Sequence, residues 1–507
     1  MNMPQIPIEL LTASGVLILY FSMGQIYFWF VTEKEKSFFR FNLLSSGWLN
    51  RFLKKPYIQF CFQLPVFLIF AFIIYAGLVG HYIINIAPIL TWTIWWAGLI
   101  FLVAIGGKAW CYVCPWDFIA GLFVRLKPYG VSRNPLTLGW KWPVKLKNIY
   151  PAILLFLALT WFELGFNVTS SPRATAYIAI AMIFLSAVPA IIFEKKPYCR
   201  HACLVGRISG LYALFSPVEV RSKDRNVCLG CRTKDCYNGN ENGMPCPTSL
   251  NLTTLEDNTY CIMCTECIKS CPHDNVAVNI RPFGADIEKT ITGKPDEAYL
   301  AIVMLAMTIF HGLTMTTLWE RSDSKNTVLG FIESLLNNNR VLSFTVGMIF
   351  ILLIPFLVQA GGAFASKFFL RNKDRAFSDI FIKFSYSLLP VALFYHLAHN
   401  ISHLLTEGQN VLTLVSDPLG RGADIFGTAA VTFKPFVSQP LIWFLQITLI
   451  AIGQYWGLRL ALFTAAGFEK EKRRRFLIAL PFLIIITLFT VISLGLLGVS
   501  MTMRTRM

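Results

Sequence analysis

Eight of the thirteen cysteines crowd into residues 228–271, and their spacing is that of a metal–thiolate site. In Cys261-x-x-Cys264-x-x-Cys267-x-x-x-Cys271-Pro272, three close thiolates can grip one 4Fe–4S cluster while the fourth reaches a neighbouring cluster. Upstream, Cys228-x-x-Cys231, Cys236 and Cys246-Pro247 repeat the plan with stretched intervals. Crossed ligation then gives one cluster to Cys228, Cys231, Cys236 and Cys271, and a second to Cys261, Cys264, Cys267 and Cys246. A zinc ribbon wants two separated cysteine pairs and gives no reason for a third and fourth cysteine in this phase. A disulfide framework belongs to small secreted domains, which this chain is not.

Four more cysteines form a weak internal repeat. Cys111-Tyr-Val-Cys114 and Cys199-Arg-His-Ala-Cys203 each close an apolar hairpin, and Cys114 to Cys203 and Gly121 to Gly210 are both offsets of 89. Two hairpins related about the membrane normal would bring these thiols to one spot. They are candidates for a third 4Fe–4S cluster or a tetrahedral metal, against four buried apolar cysteines. Lys108, Arg200 and Arg207 would offset the negative charge of a thiolate cluster. Cys61, alone in a span, reads as packing, and His273 as a solvated loop residue.

Histidines supply a third group. His396, His399 and His403 stand at i, i+3 and i+7 on one helical face, with His311 in another span. Polar groups at that depth face the protein interior and mark function. Haem ligation, copper or another metal, and a quinone pocket are the functional candidates, with hydrogen bonding between helices as the alternative. The expectation is that His311, His396 and either His399 or His403 share a site.

These residues need a scaffold, and composition says what kind. A 507-residue chain that is 55% hydrophobic and 14% charged, with mean hydropathy +0.56, is too apolar for a soluble protein of its size. Stretches long enough to span a bilayer fall at 10–30, 59–80, 84–105, 150–166, 174–193, 298–318, 341–363, 380–405, 441–463 and 476–499. The fold class is therefore an all-α polytopic membrane protein of about ten spans, with an inserted α+β ferredoxin-like domain. Four units follow: an anchor helix and basic loop over 1–58, two hairpins over 59–215, the ferredoxin-like domain over 216–290, and a five-helix membrane domain over 291–507.

The net charge of +17 sits mostly in alternate loops, without the interleaved basic and aromatic surface of a nucleic-acid binder. Lys34, Lys36, Arg51, Lys54, Arg125, Arg133, Lys145, Lys373, Arg375 and Arg473 crowd one set of loops. The other holds only Arg173, Arg321, Lys325, Arg340, Arg421 and Lys434, with Arg504 and Arg506 in the tail. By the positive-inside rule both termini lie outside a bacterial-type inner membrane and the cysteine-rich segment is cytoplasmic. Val218-Glu-Val220 and Val276-Ala-Val278-Asn-Ile280 alternate as short strands that would flank the clusters. The N-terminus shows no basic leader or small-residue cleavage site, so its first apolar run reads as a retained anchor.

Over about residues 60–285, hairpins ending in paired cysteines followed by this cysteine module resemble the membrane-bound polyferredoxin-like proteins. These belong to the periplasmic nitrate reductase, nitrous oxide reductase and cytochrome oxidase accessory systems. The resemblance implies quinol-linked or accessory electron transfer. The family's Cys-x-x-x-Cys-Pro is here Cys-x-x-Cys-Pro in the first motif and Cys-x-x-x-Cys-Leu in the second. Tyr395-His-Leu-Ala-His399-Asn400, Ser416 to Gly422 and Phe426-Gly-Thr428 resemble segments of a poorly characterised bacterial multi-pass membrane family. The resulting expectation is an electron-transfer subunit of an oxidoreductase system, working with a redox partner protein and a quinone. The alternative is an accessory or assembly factor that handles a metal such as copper for a respiratory enzyme. No nucleophile–base pair, phosphate loop or dinucleotide fingerprint points to a self-contained enzyme.

Overall fold

In lipid a backbone can satisfy its hydrogen bonds only within helices or a closed barrel, and the computed structural model of this apolar chain is chiefly helical. It describes residues 2–3, 5–31, 39–132, 135–287, 293–320, 327–371, 376–433 and 435–502. Lys34, Lys36, Arg133, Arg321, Lys325, Lys373, Arg375, Lys434, Arg504 and Arg506 lie outside the described residues.

Among the described residues nine helices are long and apolar enough to cross a membrane. Those used below are α1 (Ile8–Val31), α2 (Ile58–Val79) and α3 (Ile86–Gly106), then the short α4 (Pro115–Arg125) and α5 (Tyr150–Gly165). They continue with α6 (Pro172–Ile192), the short α7 (Leu204–Tyr212), α8 (Pro295–Thr314), α9 (Arg340–Phe369), α10 (Leu389–Thr406), α11 (Gln439–Ala466) and α12 (Lys472–Leu497). Helix α10 is the middle of a longer apolar run, Phe377–Ser416.

The tenth expected span, at 150–166, is the helix α5, whose 16 residues reach only about 24 Å, short of a hydrocarbon core of about 30 Å. It stops because Asn167 turns left-handed (φ 53°) and Pro172 opens the next helix. The anchor α1 joins the C-terminal bundle: Gln25 donates to the Tyr455 carbonyl (2.9 Å) and Gln454 to Ser22 (3.3 Å). One continuous buried core includes Val103 of α3, Phe310 of α8, Leu393 of α10 and Phe482 of α12, so the two expected membrane units are one packed body.

Contacts at the helix ends sort the loops. Asn2–Met3 pairs antiparallel with Met501–Thr502, and Thr316, just past α8, bridges Met501. At the other end of α8, Glu297 accepts from Tyr260, next to the cysteine run. Both termini therefore lie at one end of the bundle and the cysteine segment at the other, about 30 Å away along 20 residues of helix. Likewise α2 begins at the cysteine end, where Gln59 meets Tyr112, and finishes where Arg421 caps the Val79 carbonyl. Reporter fusions at Asn240 and at Gly422 should show opposite sidedness. The same sidedness for both would break this arrangement.

A small sheet closes the cysteine segment. β1 (Phe41–Asn42), β2 (Val218–Ser222) and β3 (Val276–Ile280) lie antiparallel in the order β1-β3-β2, with Val220 opposite Val278. The two expected strands pair with each other, and a third arrives from the loop after α1.

Candidate iron–sulfur and histidine sites

The loop Cys261-Ile-Met-Cys264-Thr-Glu-Cys267 is bent by left-handed backbone at Met263 (φ 54°) and Thr265 (φ 63°). Alternating right- and left-handed residues turn successive N–H groups inward, making a concavity suited to an anionic or sulfur-rich group. Cys236, Cys246, Cys261, Cys264 and Cys267 line one cavity there. Cys228, Cys231, Cys236 and Cys271 line a second, with His273, exposed in a turn as expected of a solvated loop residue, at the same hollow. Cys236 therefore lines both hollows, and each holds the four cysteines that the spacing groups together.

Among the described residues no group of three or more His, Cys, Asp or Glu is placed to hold a single metal ion. The cysteines stand around two hollows, and soft thiolate donors of this kind suit iron–sulfur clusters or zinc. Burial pushes the thiols of Cys264 and Cys267 well above the ordinary thiol range, so a bound cation is what would draw off their protons.

Hydrogen bonds aim at the sulfurs. The Asn275 amide side chain donates to Cys228 Sγ (3.2 Å) and its backbone N–H to Cys271 Sγ (3.3 Å), tying the two ends of the first set together. The Leu250 N–H donates to Cys246 Sγ at 3.3 Å. Such bonds raise a cluster's reduction potential by stabilising negative charge on sulfur. Spacing alone hides Asn275, because an asparagine after Cys-Pro-His-Asp has no distinctive pattern.

The repeated hairpins fold alike. Each ends in a short helical turn, Ala109–Val113 or Tyr198–Ala202, then breaks at the second cysteine and restarts as α4 or α7. Cys114 (φ −58°, ψ 123°) and Cys203 (φ −67°, ψ 109°) share the same cap conformation. Cys203 Sγ accepts from the Gly206 N–H at 3.2 Å. Cys111 and Cys203 each lie within electrostatic reach of the other and of both Cys114 and Cys199. Burial raises all four thiols.

Two cations meet this group. Lys108 is 1% exposed and donates to the Thr259 carbonyl (3.3 Å), two residues before Cys261. Burial and the charge of Arg207 bring its ammonium down to about 8, opposed by Cys111, Cys261 and Cys203. Lys108 therefore lies within electrostatic reach of both Cys111 and Cys203 and of Cys261. Arg207 donates to the Cys199 carbonyl (3.3 Å) under the Tyr260 ring. Arg200 turns the other way, donating to the carbonyls of Thr248 and Ser249 beside Cys246. Lone Cys61 is exposed on α2 rather than packed.

His311, His399 and His403 lie in a row, while His396, expected to share their site, meets Tyr212. His396, His399 and His403 are buried on α10, and the His311 ring lies 5.9 Å from that of His399, which lies 4.9 Å from that of His403. His396 faces the Tyr212 hydroxyl at 3.5 Å. Sequence reasoning missed the carboxylates: Glu163 Oε1 is 3.8 Å from His311 Nε2, and Glu407 Oε1 is 2.5 Å from His403 Nδ1, with both of the latter side chains fully buried. Glu407, four residues after His403, carried a readable i, i+4 signal. Glu163 carried none.

No family model matches the chain. An uncharacterized protein of Methanocaldococcus jannaschii is 27% identical over 175 residues, covering 34% of this chain and 64% of that protein. No solved structure matches.

Proposed function

We propose that the chain is a membrane-bound iron–sulfur electron-transfer protein of the polyferredoxin kind. Two hollows lined by the crossed cysteine sets are the observation that carries this reading. A bound 4Fe–4S cluster supplies one-electron chemistry at a potential set by charge, burial and hydrogen bonds to sulfur. The chain's own residues do the rest. Asn275 and the Leu250 N–H hold negative charge at the ferredoxin sulfurs. Lys108 offers one buried positive charge to both Cys261 and the Cys111/Cys203 pair, which favours electron residence on either side of it.

Cys111, Cys114, Cys199 and Cys203 form the third site in this reading, at the membrane edge. The cysteine end faces the cytoplasm, in line with the Lys/Arg bias of its loops, and takes electrons from a soluble or subunit donor for delivery to a quinone or a partner at the opposite face.

Iron content with EPR of the dithionite-reduced protein tests this. About twelve irons per chain are expected, against about eight if only the ferredoxin sets are loaded. Cys114→Ser with Cys203→Ser should remove one signal and spare two. A protein purified anaerobically without iron would end the proposal, and unchanged iron in the double variant would remove the third site.

A further inference from the structure

Burying ionisable side chains inside a membrane body is costly, and those that persist there are paired and tend to form ion or proton pathways. Five of them run in sequence across three helices. Glu163 on α5 is 3.8 Å from His311 on α8. The His311 ring is 5.9 Å from that of His399, and His399 is 4.9 Å from His403, both on α10. His403 Nδ1 meets Glu407 at 2.5 Å. Imidazole is the side chain that most readily takes up and gives back a proton near neutral pH, and carboxylates at both ends stabilise the protonated ring.

The chain of groups is also tied to the proposed redox site. One helical turn before His399, His396 meets the Tyr212 hydroxyl at 3.5 Å. Tyr212 closes α7, and Cys203 caps the start of that helix about 14 Å away along nine residues. Unit charges that far apart still interact measurably where water is excluded.

We propose that Glu163, His311, His399, His403 and Glu407 form a buried proton relay that takes up a proton when an electron reaches the four-cysteine site. This rests on the electron-transfer reading above. The balance is simple: a one-electron reductant places one negative charge at the cysteine site, and one proton from water binds the imidazole–carboxylate chain, so charge inside the membrane body is conserved. No covalent bond is made or broken except to that proton.

Few other titratable groups bear on the relay. Tyr395 stacks beside His399 (6.1 Å) and Tyr212 faces His396. Helix α11 presents the neutral amide of Gln446 to the Ala398 carbonyl, while its Tyr455 and Arg459 bond each other at the exposed surface. The packed stretches 97–106 of α3 and 476–497 of α12 contain no titratable side chain. Lys108 does titrate near the cysteines, but it is common to every protein compared below.

The experiment is a redox titration by EPR of the purified full chain between pH 6 and pH 9. It follows the signal that Cys114→Ser with Cys203→Ser removes. Reduction raises the proton affinity of the relay, so the midpoint potential should fall as pH rises. That dependence should shrink at least twofold in Glu407→Gln, which keeps size and shape, and in His399→Gln, each with iron content unchanged. A signal whose potential does not move with pH, or variants that keep the full wild-type dependence, overturns the relay and leaves the electron-transfer reading standing. Absence of the Cys114/Cys203-dependent signal overturns the membrane-edge redox site, and the relay with it. A stoichiometric metal other than iron, lost with His399, also overturns the relay.

Discussion

Removing iron with a chelator under reducing conditions should open residues 218–280 while leaving the helical bundle folded. The reason lies in how little apolar surface that segment buries. Its core is five side chains, Leu44, Val220, Leu252, Ile268 and Val276, with the cysteines packed around them. A core that small does not offset the entropy of ordering the loops, and on the proposed reading bound clusters supply the difference. The backbone adds to the need, since Met263 and Thr265 each hold left-handed conformations at a cost of about 1–2 kcal/mol. With iron gone, that geometry has nothing to keep it. Trypsin should then cut at Arg225 and Arg232 on the order of a hundredfold faster, the ratio for about 3 kcal/mol of lost local stability. Helical circular dichroism should change little. An apo protein that resists trypsin as the holo protein does would show that the segment folds without its clusters.

Arg281→Met should be the most destabilising single change at the junction between this segment and the membrane body. Arg281 is 3% exposed and bridges Glu219 (2.7 Å) and Asp286, whose carboxylates are also buried. Removing one partner of a buried ion pair leaves an uncompensated charge and costs about 3–5 kcal/mol. Here the lower end applies, because Arg221 also reaches Glu219 (3.4 Å) and Asp286 (2.9 Å), and Arg40 reaches Glu219 (2.9 Å). Thermal unfolding in detergent should show a loss of several degrees. Arg281→Met with Glu219→Gln should recover part of it, because the second change removes one of the stranded charges. A melting temperature within a degree of wild type for Arg281→Met would mean that Arg221 and Arg40 carry the network alone.

Features set by neighbours along the chain are legible in the order of residues alone. Hydrophobic runs of twenty residues place the helices to within a few positions, because backbone satisfaction in lipid leaves helix as the local solution. Where the run is interrupted early, as at Asn167, length alone overestimates the span. Cysteine spacing likewise foretells that Cys261, Cys264 and Cys267 line one hollow, since three thiols on one tight loop are a local arrangement. The offset of 89 foretells that Cys114 and Cys203 adopt one conformation, because a residue at the same place in two hairpins of like plan meets the same break between a short turn and the next helix.

By itself, then, the sequence determined the helices, the crowding of eight cysteines into residues 228–271 and the single face shared by His396, His399 and His403, all of which depend on periodicity or short spacing. Tertiary structure decided who meets whom across long separations. It set β1 against β3 from the far side of two hairpins and placed Lys108 within electrostatic reach of Cys203 and Cys261. It also brought Glu163 to His311 and Tyr212 to His396. Nothing in the spacing of two residues more than a hundred positions apart encodes their meeting, because that distance is set by how whole helices pack, and packing depends on the summed shape of every side chain between them.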